Sequence, residues 1–243
     1  MHNHRIYTEQ ALSSNQQVTL NDGAARHIVQ VLRLRPGATL SLFNGNGRDY
    51  KARLLSCNKH AVAVAITATS DLEPKPSTNF ILAQGISKVE RMDYALQKAV
   101  ELGISSFIPL FTQRTVVKLR GERLERRLKH WRKIAISACE QSGRKYLPTI
   151  SPAMQLDDWL SISHHGHNLV LEPLANQTLN TLPCPTQAVQ LLVGPEGGLS
   201  NDEIKLAQSS GFTAIRLGPR ILRTETAPIA ALAAMQMLWG DFR

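Results

Sequence analysis

The hydrophobic positions along this 243-residue chain change their period once, and the change divides it in two. Through the first part they come in short alternating runs. Ile6-Tyr7 and Val18–Leu20 are strand-like, and Asn21 or Asp22 can cap a helix to about Leu32, with Ala25, Ile28, Val29 and Leu32 on one face. Arg35-Pro36-Gly37 is a turn. Ala38–Phe43 and Asp49–Leu55 follow as strands joined by Asn44-Gly45-Asn46-Gly47, residues that accept the positive φ of a tight hairpin, and Ala61–Ala68 is a third strand. These elements predict a small, strongly curved sheet or barrel over residues 1–72. Pro74 and Pro76 mark Asp71–Asn79 as a linker.

From the linker on, residues 73–243 alternate strands with helices. Phe80–Ala83, Ser106–Leu110, Asn168–Leu171, Ala188–Val193 and Ala214–Leu217 read as strands. Between them lie helices at Val89–Leu102 and about Arg120–Gln141, one capped by Ser200 with Glu203, and a last one at about Glu225–Leu238. Such alternation predicts an α/β domain with a mostly parallel sheet.

Composition narrows the function. Lys and Arg number 28 against 19 Asp and Glu, a formal charge of +9, and both parts share the excess. Residues 114–133 concentrate it, with nine basic and two acidic side chains, most of them on the polar faces of the helix that begins at about Arg120. Charge of this kind supplies the sequence-independent part of nucleic-acid binding. No apolar run approaches the roughly 20 residues of a membrane span, and the start of the chain lacks the pattern of a signal peptide, so cytoplasmic residence is expected. Cys57, Cys139 and Cys184 are odd in number and never paired in sequence, which argues against disulfides and a zinc site. His164-His165-Gly166-His167 is expected to be a solvent-exposed loop, and no metal is expected.

Two glycine loops follow predicted strands. Gly194-Pro195-Glu196-Gly197-Gly198 precedes the capped helix, and Leu217-Gly218-Pro219-Arg220-Ile221-Leu222-Arg223-Thr224-Glu225-Thr226-Ala227-Pro228 enters the last one. Ligands of open α/β sheets bind beyond the carboxyl ends of strands, where glycine lets a ligand approach the backbone. Neither loop matches GxGxxG or GxxxxGK[ST], so hydride transfer and NTP hydrolysis lose support. In the second loop, Thr224 or Thr226 could cap the helix, with Glu225 favoured by the macrodipole.

These two loops, with Leu96–Gly103, His27–Arg33 and Ile134–Arg144, closely resemble the signatures of the RsmE family over nearly the whole chain. Members of that family are SPOUT-class, S-adenosylmethionine-dependent enzymes that make 3-methyluridine in 16S ribosomal RNA of the small subunit. The resemblance implies an N-terminal PUA-like RNA-binding β-barrel, a C-terminal SPOUT-type α/β domain with a deep trefoil knot, and a homodimer acting on RNA and not DNA. Its cofactor would lie against Leu171, Glu172, Gly194, Pro195, Gly198, Leu217, Gly218 and Leu222, with Arg223 and Thr226 near the reacting end. The RNA candidates are Arg26, His27, Arg33, Arg35 and Arg48 in the first part and Arg114, Arg123, Arg126, Arg127 and Arg144 in the second.

N3 of uridine is an imide nitrogen whose lone pair becomes available only when its proton leaves. Arg223 could stabilise charge on O2 or O4, and Glu140, Glu172 or Glu225 could take the proton. Cys139 beside Glu140 is not needed as a nucleophile for N3 transfer.

Overall fold

The structure is a computed structural model that describes residues 4–58, 61–162 and 164–242. It groups the chain into two compact units, one of Met1–Lys75 with Cys139–Leu147, the other of Pro76–Ala138 with Pro148–Arg243.

The first unit is a five-stranded sheet in the order β1-β3-β4-β5-β2, from β1 (Arg5–Tyr7), β2 (Gln17–Leu20), β3 (Thr39–Phe43), β4 (Tyr50–Cys57) and β5 (Val62–Thr69). All pairs are antiparallel except β1 with β3, and β4 and β5 slip register twice, which curls the sheet. Alternation decides what is buried. Tyr50, Ala52 and Leu54 of β4 meet Val62, Val64 and Ile66 of β5 in one core, together with Ile28. Asn21 is the residue that caps α1 (Asp22–Arg26), its side chain accepting from the Ala24 N–H. The predicted helix then changes character, running on as a π-helical turn over His27–Val31.

Cys139–Leu147 belongs with this sheet through Arg5. The Arg5 guanidinium donates to Asp49 Oδ1 at 2.8 Å and to the carbonyls of Cys139 and Arg144, and it lies 4.4 Å from the Phe43 ring centre. Tyr146 adds a hydrogen bond of 2.8 Å from its hydroxyl to the Glu73 carbonyl.

The second unit holds a seven-stranded parallel sheet. Its strands are β6 (Phe80–Gly85), β7 (Ser106–Phe111), β8 (Thr149–Ile150), β9 (Met154–Gln155), β10 (His167–Leu171), β11 (Val189–Val193) and β12 (Thr213–Ile215). The order is β12-β10-β11-β6-β7-β8, with β9 also on β7. Every residue of the central strand β11 is buried, as a parallel strand covered on both faces requires. Helices α2 (Val89–Glu101), α3 (Gly121–Ser142), α4 (Leu156–Leu160), α5 (Asn201–Ser209) and α6 (Thr226–Trp239) complete the unit, α3 running on at its end into the first.

Three differences from the sequence expectations have physical causes. The strands β8 and β9 are two residues each, too short to show a period, and with α4 they fill a stretch for which the sequence pattern predicts no element. The strand expected at Ala214–Leu217 is Thr213–Ile215, so Leu217 lies in the loop beyond. The histidine tract is not simply solvated. His164 stacks against Trp159 and Phe212 and its ring nitrogens meet Gln190 Oε1 at 3.0 Å and the Trp159 carbonyl at 2.9 Å, while His167 opens β10 edge-on to Trp239.

Candidate active site

Because β10, β11 and β12 are parallel neighbours, their carboxyl ends open on the same edge of the sheet. The loops after Leu171, Val193 and Ile215 there enclose a cleft of about 710 Å³. That volume lies within the range of small-molecule sites. Val193, Leu199, Leu217 and Leu222 give the cleft apolar walls, and five arginines, Arg91, Arg114, Arg216, Arg220 and Arg223, line it too.

One carbonyl ties the loops together. The Gly194 oxygen accepts from Gln84 Nε2 at 3.1 Å and from the Thr224 hydroxyl at 2.8 Å, and Gln84 Nε2 also reaches Thr224 Oγ1 at 3.0 Å. Thr224 therefore spends its hydroxyl on the neighbouring loop; α6 starts after Glu225 with no side-chain cap, which corrects the expected capping role of Thr224 or Thr226. Gly194 has no room for a side chain, since a Cβ there would sit 2.7 Å from the backbone of Gly198 and Leu199. Gly198 holds φ at 69°, a left-handed conformation.

The loop is braced from behind. Arg114 donates to the carbonyls of Gly197 at 2.8 Å and Leu199 at 3.2 Å. Glu203 completes its capping box with Ser200 and uses its other oxygen to accept from the Gln113 N–H at 2.7 Å, fixing the start of α5.

Two carboxylates stand at the wall with a charge imbalance. Glu196 Oε1 accepts from the Lys88 N–H at 2.8 Å, and Arg91 lies 3.9 Å from Glu196 and 3.9 Å from Glu225. Both distances exceed hydrogen-bond range. Glu196 Oε2 and Glu225 Oε2 are buried with no hydrogen-bond partner among the described residues.

A family model for an RNA methyltransferase domain matches residues 73–236, and one for an RNA methyltransferase PUA domain matches residues 20–67. Ribosomal RNA small subunit methyltransferase E of Buchnera aphidicola from Acyrthosiphon pisum is 33% identical to the chain over 98% of its length and 95% of that protein's. The chain belongs to the ribosomal RNA small subunit methyltransferase E family. The crystal structure of the family member from Neisseria gonorrhoeae, bound to S-adenosyl methionine, superposes with a TM-score of 0.93 at 40% identity and full, 100% coverage of both chains. A methyltransferase from Legionella pneumophila, in complex with the bound cofactor SAM, gives 0.95 at 36% identity, again with 100% of both chains covered.

In this member of the family, the cleft brings together Leu171, Glu172, Gly194, Pro195, Gly198, Leu217, Gly218, Leu222 and Arg223, and also Arg114. Thr226 and Glu225 are not among its lining residues. Glu172 sits at the rim with Oε1 accepting from the Leu174 N–H at 3.1 Å. Glu140 is part of the first unit and takes the Tyr7 N–H at 3.0 Å. Its burial pushes the Glu140 carboxyl above the usual range, against the Tyr7 hydrogen bond and the charges of His27 and Arg5. Burial likewise raises the Cys139 thiol to about 11, opposed by Arg144 and Arg5, so it is no thiolate nucleophile at neutral pH.

The RNA candidates divide by what they hold. Arg26, Arg33, Arg35, Arg123 and Arg126 are exposed, with Arg126 3.3 Å from Glu122, and His27 is half-buried. Arg48 donates to the Ser70 carbonyl, Arg127 lies 3.8 Å from Asp93, and the carbonyl of half-buried Arg144 accepts from the Arg5 guanidinium. Sequence reasoning missed Gln84 and Arg91. Gln84-Gly85 ends an apolar strand as Gly194 does, and that parallel was the available signal.

Replacing Gln84 by Leu removes the bonds of its amide nitrogen to Gly194 and Thr224, with a longer one to the Gly85 carbonyl, and should cost about 1–3 kcal/mol in urea denaturation. A loss below about 0.5 kcal/mol would show that Thr224 alone holds the loop. For Glu140, the folded state binds the proton more tightly than the unfolded one. The stability this contributes is complete below the unfolded value near 4.5 and is lost as pH rises through the higher folded value. Glu140→Gln keeps the acceptor for Tyr7 and removes the buried charge, so it should raise the urea midpoint at pH 7 and lose that advantage toward pH 4. A pH-independent difference would contradict the burial argument.

Proposed function

We propose that the chain methylates N3 of a uridine in 16S ribosomal RNA of the small subunit, using S-adenosylmethionine and acting as a homodimer in the cytoplasm. The observation that carries this reading is the cleft itself, two of whose three loops, those from Gly194 and from Leu217, are motif segments that resemble the family's. The trefoil knot of SPOUT folds and the division into a PUA-like unit, 1–72, and a cofactor unit, 73–243, are parts of the same proposal.

The residues fit the cofactor. Glycine and proline loops offer backbone groups to a nucleoside, and Leu217 and Leu222 supply apolar surface for a flat base. Glu196 lines the cleft with its Oε2 buried and unpartnered among the described residues and Arg91 3.9 Å from its other oxygen, which leaves an acceptor for a cationic group. When bound, the cofactor supplies an electrophilic methyl on a sulfonium centre.

Acceptor chemistry falls to the chain. Of the three candidate carboxylates Glu172 lines the cleft, and it is assigned the N3 proton. Arg223 pairs the negative charge left on O2 or O4 of the uracil. Held in line with the methyl, N3 then attacks without a metal.

The exposed bases of α3, Arg123, Arg126, Lys129, Arg132 and Lys133, support RNA binding, as do Arg26, Arg33 and Arg35 in the first unit. Helix α6 supports the homodimer. All but Thr226 and Gln236 of its residues are apolar, and Met237 is 60% exposed, so the helix offers apolar surface for a second copy. No helix among the described residues is long and apolar enough to cross a membrane.

Labelled methyl transfer to assembled small subunits, naked rRNA and bulk tRNA, read by nucleoside mass spectrometry, tests the reading. The expected product is 3-methyluridine, mainly in the assembled subunit; no transfer by folded, RNA-binding protein would overturn it. Neutralising Arg123 and Arg126 together should weaken RNA binding and flatten its log K against log salt slope by roughly 0.7 per charge. An unchanged slope would return that face of α3 to solvent.

A further inference from the structure

Two large apolar side chains stand almost fully in solvent at the mouth of the cleft. Leu174 is 88% exposed and Ile221 85%, and both line the cavity, one from the loop after β10 and the other from the loop after β12. Single exposed leucines are ordinary on protein surfaces. These two are the most exposed of the large apolar side chains among the described residues, and they share one opening.

Local structure presents both outward. The Glu172 carboxylate accepts from the Leu174 N–H at 3.1 Å, turning the chain so that Leu174 follows Pro173 at the rim. Ile221 follows Gly218, held at φ 74°, and Pro219. Arg220 precedes it and Arg223 comes shortly after, and Arg91, Arg114 and Arg216 line the same cleft. An apolar pair at the mouth of a cleft that five arginines also line does not suit an apolar protein partner. It suits a polyanion with flat apolar faces, which is a nucleic acid.

We propose that Leu174 and Ile221 are wedges that enter the base stack of the RNA and keep the target uridine extruded in the cleft. This rests on the proposed uridine methylation. N3 lies on the Watson–Crick edge, so a paired or stacked uridine cannot present it to a methyl group held inside a protein cleft. Extrusion leaves a gap beside the neighbouring bases, and apolar side chains inserted there replace the lost stacking. Arg216 and Arg220, exposed and lining the same cleft, hold the flanking phosphates while the wedges fill the gap. The chemical step is unchanged: the N3–H bond breaks with its proton passing to Glu172, the N3–methyl bond forms, the sulfonium S–C bond breaks, and the neutral thioether leaves.

The test compares the full-length chain with Leu174→Ala/Ile221→Ala on two RNAs, the target uridine stacked in a helix or free in an unstructured strand. A 2-aminopurine beside the uridine reports unstacking. The parent should raise its fluorescence on binding the helical RNA, and the double variant should not. The ratio of methylation rates, helical over unstructured, should fall about tenfold or more in the variant. Ile221→Met, which keeps an apolar wedge, should hold the parental ratio. An unchanged ratio with an unchanged fluorescence rise overturns the wedge. So does a dissociation constant for S-adenosylmethionine that weakens by the same factor, which would place the pair on the cofactor, or a dimer that dissociates in sedimentation, which would place it on a second copy. Absence of methylation by the parent on both RNAs sinks the uridine reading instead, and the fluorescence comparison still decides the wedge.

Discussion

The Gly194 carbonyl is where the cleft is held together, because donors from two different segments converge on it. Gln84 comes from the end of β6 and Thr224 from the long loop before α6. Loops at strand ends have few backbone partners of their own, and a parallel sheet leaves all of them at one edge. A buried amide and hydroxyl supply what the ladder cannot. The arrangement also dictates glycine: a Cβ at Gly85 would come within 2.6 Å of Pro195, and one at Gly194 within 2.7 Å of the Gly198 carbonyl carbon. The loops therefore approach one another as backbone, and the cavity they leave is lined largely by main chain and apolar side chains.

Electrostatics at this site run against ordinary folding economy. Burying a carboxylate oxygen without a donor is unfavourable, and Glu196 and Glu225 both do so beside one arginine held 3.9 Å away. The structure could have closed these contacts into ion pairs. Keeping them open leaves Glu196, which lines the cleft, with an unpartnered oxygen, an acceptor for a ligand whose sulfonium charge lasts until its methyl is transferred.

Most of the fold was legible because its long elements carry a period. The β4 and β5 alternation, the capping box of Ser200 and Glu203, and the α2 and α3 faces all appear in the structure. What sequence could not show was short or distant. Two-residue strands have no period, and α4 follows them directly. The return of Cys139–Leu147 to the first unit depends on Arg5, more than a hundred residues earlier in the chain. Within the cleft, the glycine loops were visible as motifs. Gln84 showed only as the polar residue before the glycine that ends an apolar strand, and Arg91 not at all, because a lone charged residue on a helix has no pattern until its partners are known.

The first unit shows how strain can sort side chains. Arg33 is held at φ 52°, left-handed for a residue with a Cβ, one residue past Leu32, which caps the π-helical turn of His27–Val31. Such a conformation costs about 1 kcal/mol or more and persists only where neighbours enforce it. Here the Leu32 N–H binds the His27 carbonyl at 2.9 Å and the Leu34 N–H binds the Ile28 carbonyl at 3.1 Å, clamping the residues on either side. Leu32 and Leu34 pack against the core, so Arg33 and Arg35 must face out. A regular helix through this segment would have turned some of those positions inward. The π turn and the left-handed arginine thus convert an alternating sequence into a buried apolar edge and an exposed basic one, the division a phosphate-binding surface needs.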